Sequence, residues 1–173
     1  MDLLKVKDQA LSFMKPAKVE ILKWYRGEYQ VDLKSDTSPV TIADRNAEEI
    51  LRKKLSKNFP EHGIIGEEFG NHNADAEWVW TIDPVDGTRS FIQGLPLFAS
   101  LMSLLHKGEP VLGIIELPAL KETAWAQPLI WGAIILAGLL VGLDIELARY
   151  QLGGDWLIYI LALSTVSIGV PIY

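Results

Sequence analysis

Charge is distributed so unevenly along this 173-residue chain that its two parts require different surroundings. Residues 1–124 contain 15 Lys/Arg and 19 Asp/Glu, whereas the remainder carries only Asp144, Glu146, Arg149 and Asp155. Residues 123–143 and 156–173 are uncharged runs of 21 and 18 residues. Runs of that length can span a hydrocarbon core of about 30 Å. The sequence predicts a charged head, residues 1–126, followed by a hydrophobic helical hairpin of two transmembrane helices in residues 127–173.

The composition of the tail supports a membrane location. Gly138 and Gly142 form a GxxxG pair that would let helices approach closely, and aromatic residues such as Trp131 and Trp156 could lie near the interfaces. The alternative is a buried hairpin in a soluble protein, but the head's core is too small to surround two apolar helices on all sides. The N-terminus lacks the unbroken apolar run of a secretory signal. We therefore expect a cytoplasmic head and a tail in the cytoplasmic membrane.

Composition also limits the kinds of ligand. The chain has no cysteine, so a disulfide framework and a thiolate metal site are excluded. Its net charge is −6 and it has no basic cluster, which argues against nucleic acid as a partner. Any metal ion must be held by oxygen or histidine ligands.

The head begins with two predicted helices. Apolar residues at helical spacing predict the first over residues 3–25, with Pro16 expected to kink or break it. Thr41 can cap the second helix with Asp44 three residues later, and this helix should end near Phe59. The predicted apolar stripes are Leu4, Leu11, Met14, Ile21 and Trp24 in the first helix, and Ile42, Ala47, Ile50, Leu51 and Leu55 in the second.

Short strands follow the helices. Residues 63–66 and 78–82 are predicted strands separated by a polar stretch, residues 71–75, that reads as a mobile loop. Residues 99–105 and 111–117 resemble the two antiparallel strands of a hairpin. Helices followed by strands indicate the α+β class.

Carboxylates follow both of the first two strands. Glu67 and Glu68 come directly after one, and Asp83 and Asp86 end the other in the stretch IDPVDGTRSF. A hard cation such as Mg²⁺ takes oxygen ligands from several elements and leaves positions for substrate phosphate. Gly87 lets backbone approach a ligand, and Thr88 lies at the start of a possible short helix.

Each of these motifs also has a purely structural interpretation. Asp-Pro and Asp-Gly are common turn formers, Glu67 and Glu68 could be a solvated surface pair, and Asp44 could only complete a capping box with Thr41. Taken together, however, the motifs point to a metal and phosphate site.

The runs KSDTSPVTIAD, GEE and WTIDPVDGTRSFIQGLPLF, in this order, resemble the inositol monophosphatase family, and PVLGIIELPALKETAWA is most similar to its histidinol-phosphatase-type branch. The resemblance covers about residues 1–126. It implies the N-terminal half of an inositol monophosphatase-like αβ sandwich. The Mg²⁺ ligands it implies are three carboxylates and one carbonyl: Glu67, Asp83, Asp86 and the carbonyl of Val85.

The resemblance also implies roles for the neighbouring residues. Thr88, with Glu67, would orient the water that attacks phosphorus, and Asp44 would lie near the metal ions and Thr88. The amides of Gly87 and Thr88 would hold substrate phosphate. Two supporting positions are Lys34, which begins a mobile loop, and Glu68.

The implied activity is Mg²⁺-dependent hydrolysis of a phosphate monoester, of the histidinol-phosphate or inositol-phosphate type, without a covalent phospho-enzyme. The partner is then a small phosphorylated metabolite, and a homodimer is left open. Family chains are longer, and their second half supplies a further layer and another metal-binding aspartate in a Trp-Asp motif. Here Trp156 follows Asp155 in the reverse order. We therefore expect impaired activity, with a membrane-anchored, non-catalytic remnant as the alternative.

The tail carries a second, less specific resemblance. Residues 128–173 are similar to the first membrane hairpin of heavy-metal-transporting P-type ATPases, which would place a junction of two truncated reading frames in residues 124–129. The phosphorylated aspartate and Cys-Pro-Cys type motif of that family are absent. A fragment of a cation-transporting ATPase is accordingly a third alternative.

Overall fold

The structure is a computed structural model that describes residues 1–34 and 39–127. The chain divides into two units, Met1–Thr123 and Ala124–Tyr173. Within the described ranges, no helix is both long enough and apolar enough to cross a membrane. The two predicted membrane helices begin beyond residue 127 and lie outside the described residues, so they stay predictions.

Helix α1, Leu3–Trp24, begins at Asp2, whose carboxylate accepts hydrogen bonds from the amides of Leu4 and Lys5. The helix continues through Pro16, so the break considered from the sequence does not occur. Leu4 is 56 % exposed, and the apolar stripe is rotated from the predicted one. The buried residues are Val6, Ala10, Phe13, Met14, Ala17 and Ile21. Burial of this stripe on both sides of the proline offsets a cost of about 3 kcal/mol for proline inside a helix.

Helix α2, Ile42–Asn58, has the predicted N-terminus. The Thr41 hydroxyl accepts from the amide of Ala43 at 3.1 Å, and Asp44 Oδ2 accepts from the amide of Thr41 at 2.9 Å, which completes a capping box. Ile42 is 41 % exposed, so its inclusion in the apolar stripe was wrong. The buried residues are Ala43, Asp44, Ala47, Glu48, Leu51 and Leu55. Two acidic side chains therefore lie on the face that packs into the protein.

Two sheets and a short helix complete the described part. Strands β1, Val31–Leu33, and β2, Pro39–Thr41, form an antiparallel pair that the sequence analysis missed. The strands of the larger sheet are β3 Gly63–Gly66, β4 Gly70–His72, β5 Trp78–Asp86, β6 Ala99–His106, β7 Glu109–Leu117 and β8 Glu122–Ala126, with helix α3, Thr88–Ile92, between β5 and β6. Their order in the sheet is β4-β3-β5-β6-β7-β8. The predicted mobile loop over residues 71–75 is wrong at its start, because β4 pairs with β3.

The two long helices pack together and against the larger sheet, α1 next to β7 and α2 next to β5. The register aligns Ile64 with Trp80 and Trp80 with Leu104, so these side chains share one face. All three are at most 2 % exposed. The α+β class is confirmed for the described part of the head.

Strand pairing positions the acidic residues. β3 and β5 are parallel neighbours, with Gly66 opposite Ile82. The residues that follow Gly66 and Ile82 therefore meet at one edge of the sheet. The pairs β1–β2, β3–β4, β5–β6 and β6–β7 are antiparallel.

Candidate active site

The turn after β3 and the end of β5 bring two carboxylates together. The amide of Glu67 donates to the carbonyl of Ile82 at 3.3 Å, which places Glu67 beside Asp83. The two side chains are hydrogen-bonded. Burial, the hydrogen bond to Glu67 and the negative charges of Glu67 and Asp86 raise the pKa of Asp83 to about 9. The protonated form of Asp83 is therefore favoured at neutral pH.

Lys34 provides the positive charge nearest to this pair. Its ammonium lies 2.6 Å from Oε1 of Glu67 and 2.7 Å from Oε1 of Glu68. Burial by itself would lower the pKa of Lys34, but the hydrogen bonds and charges of the two glutamates reverse the effect and raise it. Burial raises the pKa of Glu68, and Lys34 opposes that change. Glu67 and Glu68 thus form ion pairs with a side chain more than thirty residues away. The Glu68 side chain is 5 % exposed and is not a solvated surface group, whereas Glu67 is 44 % exposed.

Thr88 links β5 to helix α2. Its Oγ1 lies 3.0 Å from the carbonyl oxygen of Val85 and 3.2 Å from Oδ1 of Asp44. A hydroxyl has one proton to donate, so the two acceptors compete for the proton of Thr88. The lone pairs of the Thr88 oxygen can accept a hydrogen bond from another donor. Gly87, the residue before, has φ of 87°, a conformation that favours glycine. The predicted short helix begins at Thr88.

Asp44 is both a helix cap and a partner of Thr88. Its Oδ2 serves the capping box with Thr41, and its Oδ1 faces Thr88. Burial raises the pKa of Asp44, although hydrogen bonds from Thr41 and Thr88 partly counter the change. The capping interpretation of Asp44 is therefore confirmed. Its contact with Thr88 fits the predicted site role, which stays a prediction.

Three of the predicted metal ligands lie close enough to interact, since the charges of Glu67 and Asp86 raise the pKa of Asp83. Across residues 1–34 and 39–127, no group of three or more Asp, Glu or His side chains is arranged to hold a metal ion. The Val85 carbonyl accepts from Thr88, and Glu67 divides its contacts between Lys34 and Asp83. The donor set still suits a hard cation, since it consists of oxygen atoms and already attracts an ammonium ion. The assignment of Glu67, Asp83, Val85 and Asp86 as metal ligands stays a prediction.

Sequence reasoning missed two residues that support this region. Ser100 donates from Oγ to the carbonyl of Pro84 at 2.6 Å, where the pairing of β5 with β6 shifts register between Asp83 and Asp86. Glu48 of α2 is fully buried below the turn after β3. Of the two, only Glu48 could have been recognised from the sequence, because Arg52 lies four residues later and can form an ion pair with it on a helix.

The chain belongs to the inositol monophosphatase family, whose model matches residues 2–135. It is 45% identical over 113 residues to a histidinol-phosphatase of Chlorobaculum parvum, covering 65% of this chain and 44% of the relative. It is 48% identical over 104 residues to the chloroplastic bifunctional phosphatase IMPL2 of Arabidopsis thaliana, covering 59% and 30%. Among solved structures, the extragenic suppressor protein SuhB of Bartonella henselae superposes with a TM-score of 0.68 at 31% identity, covering 72% of this chain and 49% of that one.

The chain spans less than half the length of these relatives. A second family model, the LrgB-like family, matches residues 114–173. The predicted relationship of the tail to heavy-metal pumps is not supported, since the family that matches there is a different one. Hydropathy and a GxxxG pair occur in many unrelated membrane helices, so they specify no family.

Proposed function

We propose that residues 1–127 carry the metal-binding half of a phosphate monoester hydrolase of the histidinol-phosphate or inositol-phosphate type. The observation that supports it best is the Thr88 hydroxyl beside Asp44 and Val85, next to the hydrogen-bonded carboxyls of Glu67 and Asp83. A hydroxyl with free lone pairs and a neighbouring carboxylate can orient a water molecule and take its proton. The family supports the reaction class, and the half-length match leaves the activity of this chain a proposal.

Mg²⁺ is the proposed cofactor. Glu67, Asp83, Asp86 and the Val85 carbonyl would hold it. When bound, it would supply positive charge that offsets the charge of the substrate phosphate and makes a nearby water more acidic. Asp83 would have to lose its proton and Lys34 would have to release Glu67 for the carboxylates to serve as ligands.

The chain's own residues would then carry the proton. Oγ1 of Thr88 takes a proton from the attacking water as its own proton passes to Oδ1 of Asp44, whose raised pKa makes it a better acceptor than an exposed carboxylate. The new oxygen–phosphorus bond forms as the ester oxygen leaves, and the departing alcohol takes a proton from solvent. The amides of Gly87 and Thr88 are the proposed contacts to the phosphate.

The test is release of inorganic phosphate by the purified chain from histidinol phosphate and from inositol monophosphate, with Mg²⁺ or with EDTA. We expect slow release that requires Mg²⁺ and is lost in Asp83→Asn, while Asp8→Asn on the exposed side of α1 retains it. A chain that binds Mg²⁺ but releases no phosphate would instead be the non-catalytic remnant. That alternative rests on the half-length match.

The membrane location of the tail rests on sequence alone. If residues 129–143 and 156–173 span a bilayer, residues 144–155 lie on the side opposite the head. That segment has three acidic residues and one basic residue, so it carries little positive-inside signal. Fractionation of cell membranes and an impermeant label directed at residues 144–155 test this topology. Recovery as a soluble monomer would contradict it.

A further inference from the structure

Glu48 is a carboxylate held entirely inside the protein. It lies on helix α2 between the buried residues Ala47 and Leu51, and none of its surface is exposed. An isolated buried charge costs several kcal/mol, on the order of the stability of a whole domain, unless it is paired and hydrogen-bonded. Arg52, one helical turn later, supplies the pairing charge, with Nε 2.7 Å from Oε1.

The remaining hydrogen bonds of Glu48 go to the backbone of the acidic turn. Its Oε2 accepts from the amide of Glu68 at 2.7 Å, and its Oε1 accepts from the amide of Phe69 at 3.1 Å. Arg52 also donates to the carbonyl of Gly70, where β4 begins. One ion pair on α2 thus binds three consecutive residues of the chain that follows β3.

Gly66 shows how closely this ion pair approaches the strand. A Cβ at Gly66 would lie well inside contact distance of the Glu48 carboxylate and 2.5 Å from Nη2 of Arg52. Glycine at residue 66 therefore leaves space for the ion pair, and a side chain there would push the carboxylate away from the two amides.

We propose that Glu48 is a positioning residue for the metal site. It holds the backbone of Glu68 and Phe69 from below, so that Glu67 points to Asp83 and Glu68 to Lys34, while Glu48 itself touches neither metal nor substrate. Its link to metal binding rests on the function proposed above. The role of Glu48 in holding the turn does not rest on that function, because it follows from the hydrogen bonds to the amides of Glu68 and Phe69.

The experiment compares Glu48→Gln with Glu49→Gln in the full chain. The substitutions are identical and adjacent on one helix, but Glu49 is 55 % exposed and pairs with Lys53 at 2.7 Å. Glutamine at 48 keeps one acceptor oxygen and loses the charge that Arg52 pairs with. Hydrogen exchange followed by mass spectrometry reports on a peptide covering residues 64–72 and on a control peptide covering 99–106. Titration calorimetry reports Mg²⁺ binding.

For Glu48→Gln we expect exchange in residues 64–72 to become at least tenfold faster, exchange in 99–106 to change less than twofold, and the Kd for Mg²⁺ to rise at least fivefold. Glu49→Gln should change none of the three. Unchanged exchange in residues 64–72 would overturn the proposal. Equal acceleration in both peptides would also overturn it, because that result indicates a general loss of stability.

Arg52→Lys provides a second variant if Glu48→Gln does not fold. Lysine keeps the charge but lacks the fork that reaches both Glu48 and Gly70, so faster exchange confined to 64–72 is again expected. If the unsubstituted chain binds no Mg²⁺, the proposed function fails and the exchange result still decides the role of Glu48.

Discussion

Nζ of Lys34 lies 2.7 Å from Oε1 of Glu68, a carboxylate that is only 5 % exposed. The same ammonium lies 2.6 Å from Glu67. Lys34 therefore neutralises carboxylates beside which the proposed Mg²⁺ would bind. A cation and Lys34 should compete for Glu67, and the stability of the chain should report that competition.

Replacing Lys34 by methionine should lower the free energy of unfolding without metal by about 1.5–3 kcal/mol, the usual loss for a hydrogen bond to a charged group. Added Mg²⁺ should stabilise Lys34→Met more than it stabilises the unsubstituted chain, because the ammonium no longer competes. Urea unfolding with and without Mg²⁺ measures both effects.

The control for Lys34 is Lys53→Met. Lys53 lies at the same 2.7 Å from Glu49, but both side chains are more than half exposed. A pair of that kind contributes roughly 0.2–1 kcal/mol. Equal losses in the two variants, or an equal response to Mg²⁺, would contradict the proposed competition.

The rate of phosphate release should depend on the hydroxyl of Thr88 more than on the shape of its side chain. Thr88→Val removes the contacts to Asp44 and Val85 while keeping the volume, and should slow phosphate release about 100-fold, in the range typical of lost proton transfer. Thr88→Ser retains the hydroxyl and should stay within about tenfold. Single-turnover assays with histidinol phosphate measure the difference. Similar rates for valine and serine would show that the hydroxyl takes no part.

Acid should destabilise the head through His62. Nδ1 of His62 accepts from the indole N–H of the fully buried Trp80 at 3.1 Å, so it carries no proton there. Burial lowers the pKa of His62 below its usual 6.5. Since the unfolded chain binds this proton at higher pH than the folded one, stability is fully present above pH 6.5 and is lost as pH falls toward the folded value.

Unfolding curves followed by tryptophan fluorescence between pH 7.5 and 5.5 test the role of His62. His62→Gln keeps an acceptor for Trp80 but does not titrate, so its stability should fall less over this range. His106→Gln is the matched control, because His106 contacts the exposed Glu77 and ring-stacks on Trp78, not on Trp80. If the stability of His62→Gln falls with pH as much as that of the unsubstituted chain, protonation of His62 is not the cause of the acid destabilisation.

Lys18 connects helix α1 to the larger sheet. Its ammonium lies 2.5 Å from Glu116 of β7, a side chain 7 % exposed that also accepts from the Thr123 hydroxyl at 2.6 Å. Lys18→Met leaves a buried carboxylate unpaired and should destabilise the chain by about 3 kcal/mol. Adding Glu116→Gln should restore most of that loss in denaturant unfolding. An additive double variant would show that the pair does not interact.

Local patterns in the sequence were sufficient to predict many of the helices and strands of the head. Thr41 with Asp44 specified the start of α2. The strand before Glu67 and the strand that contains Asp83 were recognised from short apolar runs bounded by turns. These features depend on hydrogen bonds between residues a few positions apart and on the period of side chains along one element. Strand β8 and the β1–β2 pair were missed, since their short segments show no alternation.

The arrangement of the site depended on the tertiary structure. Lys34 meets Glu67 across 33 residues, and Thr88 meets Asp44 across 44. These contacts follow from the parallel pairing of β3 with β5 and from the packing of α2 against β5, which no periodicity encodes. The sequence by itself determined which oxygen atoms stand at the strand ends. Only the fold decided that Lys34 pairs with two of them and that Glu48 is buried beneath the turn that carries them, because both depend on long-range packing.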